Sequence, residues 1–189
     1  MAAKIKVDQI ETVDGSGTIA LQNQLSGMTS VSMPAGSIIQ VVSSSTTGDL
    51  TTSSTSFVDV TTTGGASWET AITPSSTSSK ILVCYNVVLK VYDSGNPNNR
   101  STLKVLEKIG SGSYGNLDAN TTEMQTLLGN YDYGNSGVWN GSRPVFQYLS
   151  SPNTTSEVKY KMQVKNSGSA SSAMHDAEPG TVTLMEIKG

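Results

Sequence analysis

"KILVCYNVVLKVY", residues 80–92, decides how this chain folds. In an extended strand successive side chains point to opposite sides. Ile81, Val83, Tyr85, Val87, Leu89 and Val91 therefore share one face. Leu82, Cys84, Asn86 and Val88 begin the other, and most of that side is apolar too. A half-buried strand alternates apolar with polar residues, so this one asks for cover on both faces. "GTVTLMEIKG", residues 180–189, shares the property, with Val182, Leu184 and Glu186 on one side and Thr183, Met185 and Ile187 on the other. "EVKYKMQVK", residues 157–165, is different. Val158, Tyr160, Met162 and Val164 oppose Glu157, Lys159, Lys161, Gln163 and Lys165, the pattern of a sheet with one solvated face.

Two sheets packed face to face bury only one face of each. A doubly apolar strand therefore predicts a second cover. Another copy of the chain across a symmetry axis is the economical source. The chain's own residues 1–35 are the alternative, but they hold too few large apolar groups. The expected inner-sheet and subunit-interface residues are Leu82, Val83, Tyr85, Val87, Val182, Leu184, Met185 and Ile187. Glu186 is the odd carboxylate among them and needs a partner, for which Lys80, Lys104 and Arg143 are the candidates.

Further strand-like runs lie at Ile38–Val42, Phe57–Thr61, Trp68–Thr73, Leu103–Ile109 and Val145–Leu149, separated by Gly, Ser, Asn and Pro clusters. Such spacing predicts an all-β antiparallel sandwich or barrel. "NTTEMQTLLGN", residues 120–130, fits a capped helix or a strand equally well, and its β neighbours favour strand. Residues 1–35 form a separate segment. Ile5, Val7 and Ile10, then Ile19 and Leu21, flank the turn signal "DGSG". Two short strands are marginal alone, so this segment is expected to attach to a partner or wind with copies of itself. "MPAG", residues 33–36, marks the break before a domain over 36–189.

Composition narrows the function. The chain has 189 residues, 35% hydrophobic content and a formal net charge of -3. Ser and Thr together make up about a quarter of it, above ordinary usage. A chain without a basic field is not expected to bind nucleic acid. Cys84 and His175 are the only cysteine and histidine, which rules out an intramolecular disulfide and a zinc site built from them. No apolar run is long enough for a membrane helix, and "MAAKIKVDQIETVDG" lacks the apolar region of a secretory signal. The sequons at Asn120, Asn140 and Asn153 are then chance matches in an Asn/Ser/Thr-rich chain.

Catalytic chemistry is sparse. Gly110, Gly112 and Gly115 make a bare GxGxxG after a strand. No lysine follows before Lys159 and no helix opens at Gly115, so a glycine-rich turn is the expected reading. His175 beside Asp176 is a poor basis for a triad, because neighbours on a strand point apart. Carboxylates are scattered without an obvious cleft for sugar hydrolysis. The chain is expected not to be an enzyme and to need no metal or cofactor. Lys159, Lys161 and Lys165 form a stripe that reads as a solvated face blocking edge-to-edge pairing, with attraction of anionic polymer as the alternative. Tyr131, Tyr133 and Trp139, with Tyr114 beside them, sit among Gly and Asn. Such rings offer rigid recognition surface; pinning loops to the sandwich, or lying in a subunit contact, is the other reading.

"MPAGSIIQVV", "AITPSSTSSKILV", "YLSSPNTTSEVKYKMQVK" and "TLMEI" resemble stretches of the small tail fibre proteins of tailed bacteriophages of cyanobacteria and other aquatic bacteria. "KIKVDQIETVDGSGTIAL" resembles the N-terminal attachment segment of those fibres. The resemblance implies a virion structural protein, assembled in the host bacterial cytoplasm, with an extended attachment or stalk segment over 1–35. It also implies a trimeric jelly-roll head similar to the C1q and tumour-necrosis-factor heads, with the last strand in the inner sheet beside the threefold axis. Expected partners are two further copies of the chain, another virion protein at Ile5, Val7, Ile10, Ile19 and Leu21, and a host surface glycan or protein. No membrane insertion is expected. A capsid decoration or head-fibre protein, and a carbohydrate-active enzyme, are the alternatives.

Overall fold

The computed structural model describes residues 33–93, 100–117, 125–128, 138–167, 171–174 and 178–189. The chain divides into two compact units, Met1–Ser32 and Met33–Gly189. The attachment residues Ile5, Val7, Ile10, Ile19 and Leu21 lie outside the described residues, as do Tyr131, Tyr133 and His175.

Every described regular element of the second unit is a strand. They are β1 (Ile38–Thr46), β2 (Leu50–Thr52), β3 (Val58–Asp59), β4 (Glu69–Ile72), β5 (Lys80–Asn86), β6 (Leu89–Asp93) and β7 (Arg100–Ile109), followed by β8 (Gly115–Asn116), β9 (Gln125–Leu128), β10 (Val138–Ser142), β11 (Val145–Ser150), β12 (Val158–Ser167), β13 (Ser171–Met174) and β14 (Gly180–Ile187). One sheet has the order β1-β14-β5-β11. A second runs β3-β12-β7-β8, with β4 also on β12 and β9 also on β7. All pairings are antiparallel. The chain moves repeatedly between the two: β4 to β5, β5 to β7, β9 to β11, β11 to β12 and β12 to β14 each change sheet. Consecutive strands thus wrap a common interior, which makes this a jelly-roll β-sandwich.

A third, smaller sheet has the order β10-β6-β13-β2. Its members are the chain neighbours of β11, β5, β14 and β1, in the same lateral order. The first sheet therefore continues past a break. This corrects the reading of residues 80–92 as one strand, because β5 ends at Asn86 and β6 starts at Leu89 in the other sheet. At the break Val87 and Val88 are both buried, which a flat strand does not allow for adjacent residues. Val87 N donates to Pro144 O across it. Periodicity hides such a kink when both flanks are apolar. The short strands β2, β8, β10 and β13 were not expected either; they are built from Ser, Thr, Gly and Asn as much as from apolar residues, and pairing rather than pattern makes them. In 120–130, residues Gln125–Leu128 form β9 on β7.

The core lies between the first two sheets. From the first come Ile81, Val83, Tyr85, Val182 and Leu184; from the second come Val105, Val158, Tyr160, Met162 and Val164, all at most 1% exposed. Each such large side chain removed from water contributes about 1.5–3 kcal/mol. The glycine-rich stretch is a turn. Gly110 has a positive φ of 52°, its N–H donates to Glu157 O, and Gly112 N donates to Ile109 O. At the end of the sandwich, Gly36 N donates to Lys188 O and Lys188 Nζ to Met33 O, so β14 ties the start of the unit to its finish.

Candidate functional site

Register places the outward residues of the first sheet in rows. Val41 pairs with Met185, Met185 with Leu82, and Leu82 with Leu149. One apolar row therefore crosses all four strands. On the same face Ser43, Thr183, Cys84 and Gln147 form the next row, and Ser45, Thr181, Asn86 and Val145 the one after. Ile38 lies opposite Ile187 at the other end. Four large apolar residues here stay open to solvent: Ile38 53%, Val41 57%, Val145 61% and Leu149 45%. With strands about 4.8 Å apart and about 3.3 Å per residue, this face measures roughly 20 by 23 Å. Its apolar part is the Val41–Leu149 row together with Ile38, Ile187 and Val145, and Ser, Thr, Asn and Gln fill much of the rest.

The expected interface residues divide between the two faces. Val83, Tyr85, Val87, Val182 and Leu184 point into the interior of their own chain. Leu82, Met185 and Ile187 are half-buried on the outward face. Cys84 shares that face, and burial pushes its thiol up from its ordinary value, which keeps it protonated at neutral pH. Sequence parity separated these two sets but could not say which of them met the core. It also missed Ile38, Val41, Val145 and Leu149, because β1 and β11 sit at the sheet edges, where pairing had to be known.

Glu186 is 1% exposed on the core side, and the suggested lysine or arginine partners are corrected. Ser75 N and Ser75 Oγ donate to its Oε1 at 2.6 and 2.8 Å. With its amide oriented to donate, Gln40 reaches Oε2 at 3.2 Å and Thr73 O at 3.1 Å. Arg143 instead pairs with Glu178 at 2.6 Å. The loop after β4 thus satisfies the carboxylate with neutral donors, avoiding a buried charge without hydrogen bonds.

The outward face of the second sheet is basic. Lys159, Lys161 and Lys165 on β12 are joined by Lys104 and Lys108 on β7. Lys161 Nζ donates to Asp59 Oδ2 at 2.8 Å, and Lys159 lies 3.6 Å from Glu157. Asp59 also accepts from Gln163 Nε2 at 2.7 Å and Ser67 Oγ at 3.0 Å. Burial alone raises the Asp59 pKa, but these donors outweigh it and hold the carboxyl below its ordinary value. A depressed folded-state pKa gives stability that is present above the unfolded pKa and is lost as pH falls through the folded value. Asp59→Asn is expected to cost about 1–2 kcal/mol at pH 7. The gap to the parent should close in urea titrations repeated below about pH 4; a gap constant with pH would disprove the role.

Tyr114 packs its ring against two lysines. Lys161 Nζ lies 4.3 Å and Lys108 Nζ 5.6 Å from its ring centroid. Burial, with Glu69 nearby, pushes its hydroxyl pKa up. It lies over the basic face. Trp139 lies on β10, opposite Tyr92 on β6. Among the described residues no group of three or more His, Cys, Asp or Glu side chains stands ready for a metal. No helix among them is long and apolar enough to cross a membrane.

These features define the class: a jelly-roll sandwich with one outward face crossed by an apolar row and one basic outward face. No family model matches the chain, and no curated protein matches it. Among solved structures it is similar to a chain of infectious bursal disease virus Gx strain, at 13% identity and a TM-score of 0.29, covering 81% of this chain and 39% of that one. It is also similar to the infectious bursal disease virus VP2 subviral particle, at 14% identity and a TM-score of 0.33, covering 79% and 38%. The chain therefore spans about two fifths of the length of those chains. The jelly-roll assignment rests on strand order and not on these similarities.

Proposed function

We propose that this chain is a non-enzymatic virion structural protein, a homotrimeric bacteriophage tail fibre whose jelly-roll head projects from the particle and contacts the host surface. The observation that carries the reading is the row Val41, Met185, Leu82 and Leu149 on an outward sheet face, with two of its four members at least 45% exposed. A monomer gains nothing from such a row. Three copies meeting at an axis remove it from water, contributing about 25 cal/mol per Å² of apolar area. The face alone is smaller than the ~800 Å² per partner of a standard interface, so in this reading each subunit also uses the edges of β1 and β11. The motifs "MPAGSIIQVV" and "YLSSPNTTSEVKYKMQVK" support the phage assignment by their resemblance to fibre proteins. Residues 1–35 would then join the head to another virion protein.

Light scattering coupled to size exclusion tests the assembly. The expected mass is about 59 kDa, three times the 19.8 kDa subunit. A stable monomer at micromolar concentration would overturn the proposal.

A further inference from the structure

We infer that the outward face of the β12–β7 sheet is a binding site for an acidic polysaccharide, one bearing carboxylate or sulfate groups along an extended chain. The inference deepens the host-contact part of the proposed function, but it does not need the trimer, because the basic and apolar faces lie on opposite sides of the sandwich.

Like charges stand together on this face. Lys108 lies directly opposite Lys159 in the antiparallel register, an arrangement that is destabilising by itself. Gln163 lies opposite Lys104, which puts Lys161 and Lys165 on the two diagonals from Lys104. Lys104 and Lys165 also share one ring: their ammonium groups sit 4.2 and 4.8 Å from the Phe57 centroid. Burial lowers the Lys104 pKa, and the charges of Lys165 and Lys161 lower it further. Among the described residues no carboxylate forms an ion pair with Lys104 or Lys108. This face sets five lysines against three carboxylates, Asp59, Glu69 and Glu157, on a chain whose net charge is -3. An anionic ligand relieves the repulsion that the register builds in.

The spacing selects a polymer. Lys104 and Lys108 are four residues apart on one strand, about 13 Å, so a single small anion cannot engage both cation pairs. Ammonium groups are point charges with rotatable donors and place no demand on planar geometry, which suits carboxylates and sulfates on a sugar chain. Single-stranded nucleic acid is less well matched. Its non-specific binders present aromatic platforms for the bases, whereas here Phe57 and Tyr114 are each already engaged by two lysines.

The test uses the full chain on immobilised dextran sulfate, with uncharged dextran and single-stranded DNA as the other arms, each over a salt series. Binding to dextran sulfate is expected, falling with salt, and none to uncharged dextran. Lys104→Gln with Lys108→Gln should weaken it at least about tenfold at low salt and reduce the slope of log affinity against log salt by about 2. Lys104→Arg with Lys108→Arg should keep it, and Lys80→Gln, on the other sheet, should leave it unchanged. Because light scattering reads assembly separately, a trimer that ignores dextran sulfate would reject this site alone, and a monomer that binds it would reject only the trimer. No binding at low salt, an equal loss from Lys80→Gln, or tighter binding to DNA would each overturn the inference.

Discussion

Met185→Asp is expected to convert a species of about 59 kDa into one of 19.8 kDa. Met185 sits inside the exposed apolar row, flanked by Val41 on β1 and Leu82 on β5. A carboxylate there would be harmless on a solvated monomer face. Buried at a subunit contact it lacks a cation, and each unpaired buried ion costs several kcal/mol. Since about 1.4 kcal/mol is a tenfold change in affinity, the loss should exceed a hundredfold. Ile187→Asp, opposite Ile38 and Lys80, should act in the same direction. Met185→Leu conserves volume and should remain assembled. The stability of the single chain, read by urea unfolding at low concentration, should change little for Met185→Asp, because the residue does not face the core. Light scattering that shows unchanged trimers for both aspartate variants would reject the face as the contact.

The largest effect on the fold itself is expected at Trp68. It is 3% exposed and stands just before β4 on the second sheet, yet its contacts reach the first. Its Nε1 donates to Ser44 Oγ on β1 at 3.0 Å. Its ring meets Tyr85 on β5 edge-on, with centroids 5.5 Å apart and planes at 90°. Trp68→Ala removes a large buried ring from between two sheets and should cost about 3–5 kcal/mol, a large share of the roughly 5–15 kcal/mol that holds an ordinary domain. Trp68→Phe keeps most of the packing and loses the indole hydrogen bond, so about 1 kcal/mol is expected from that term. Ser44 Oγ retains Thr70 Oγ1 at 2.5 Å in either variant. Urea midpoints measure both; a loss under about 1 kcal/mol for the alanine variant would mean that the sheets are joined mainly elsewhere.

Parity along single strands was legible in the sequence. Val158, Tyr160, Met162 and Val164 were expected on one face, and all four are fully buried. The lysines opposite them face outward because side chains alternate along a strand, whatever it pairs with. The same rule separated Leu82, Met185 and Ile187 from Val83, Val182 and Leu184. It did not show that Lys104 and Lys108 join the basic face, since that needs the register of β12 on β7. Nor did it show Ser75 as the donor to Glu186, a contact across 111 residues of sequence.

What the sequence determined by itself is the all-β class and the two-faced and doubly apolar strands. These follow from composition and from a period of two, both properties of neighbouring residues. The tertiary structure alone decided where "KILVCYNVVLKVY" breaks, which strands share a sheet, and which apolar face is core. It also decided that Val41, Met185, Leu82 and Leu149 line up. Each of these depends on pairing between segments distant in sequence. Pairing is set by the packing of the whole sandwich, and a strand carries no local mark of its neighbour's register.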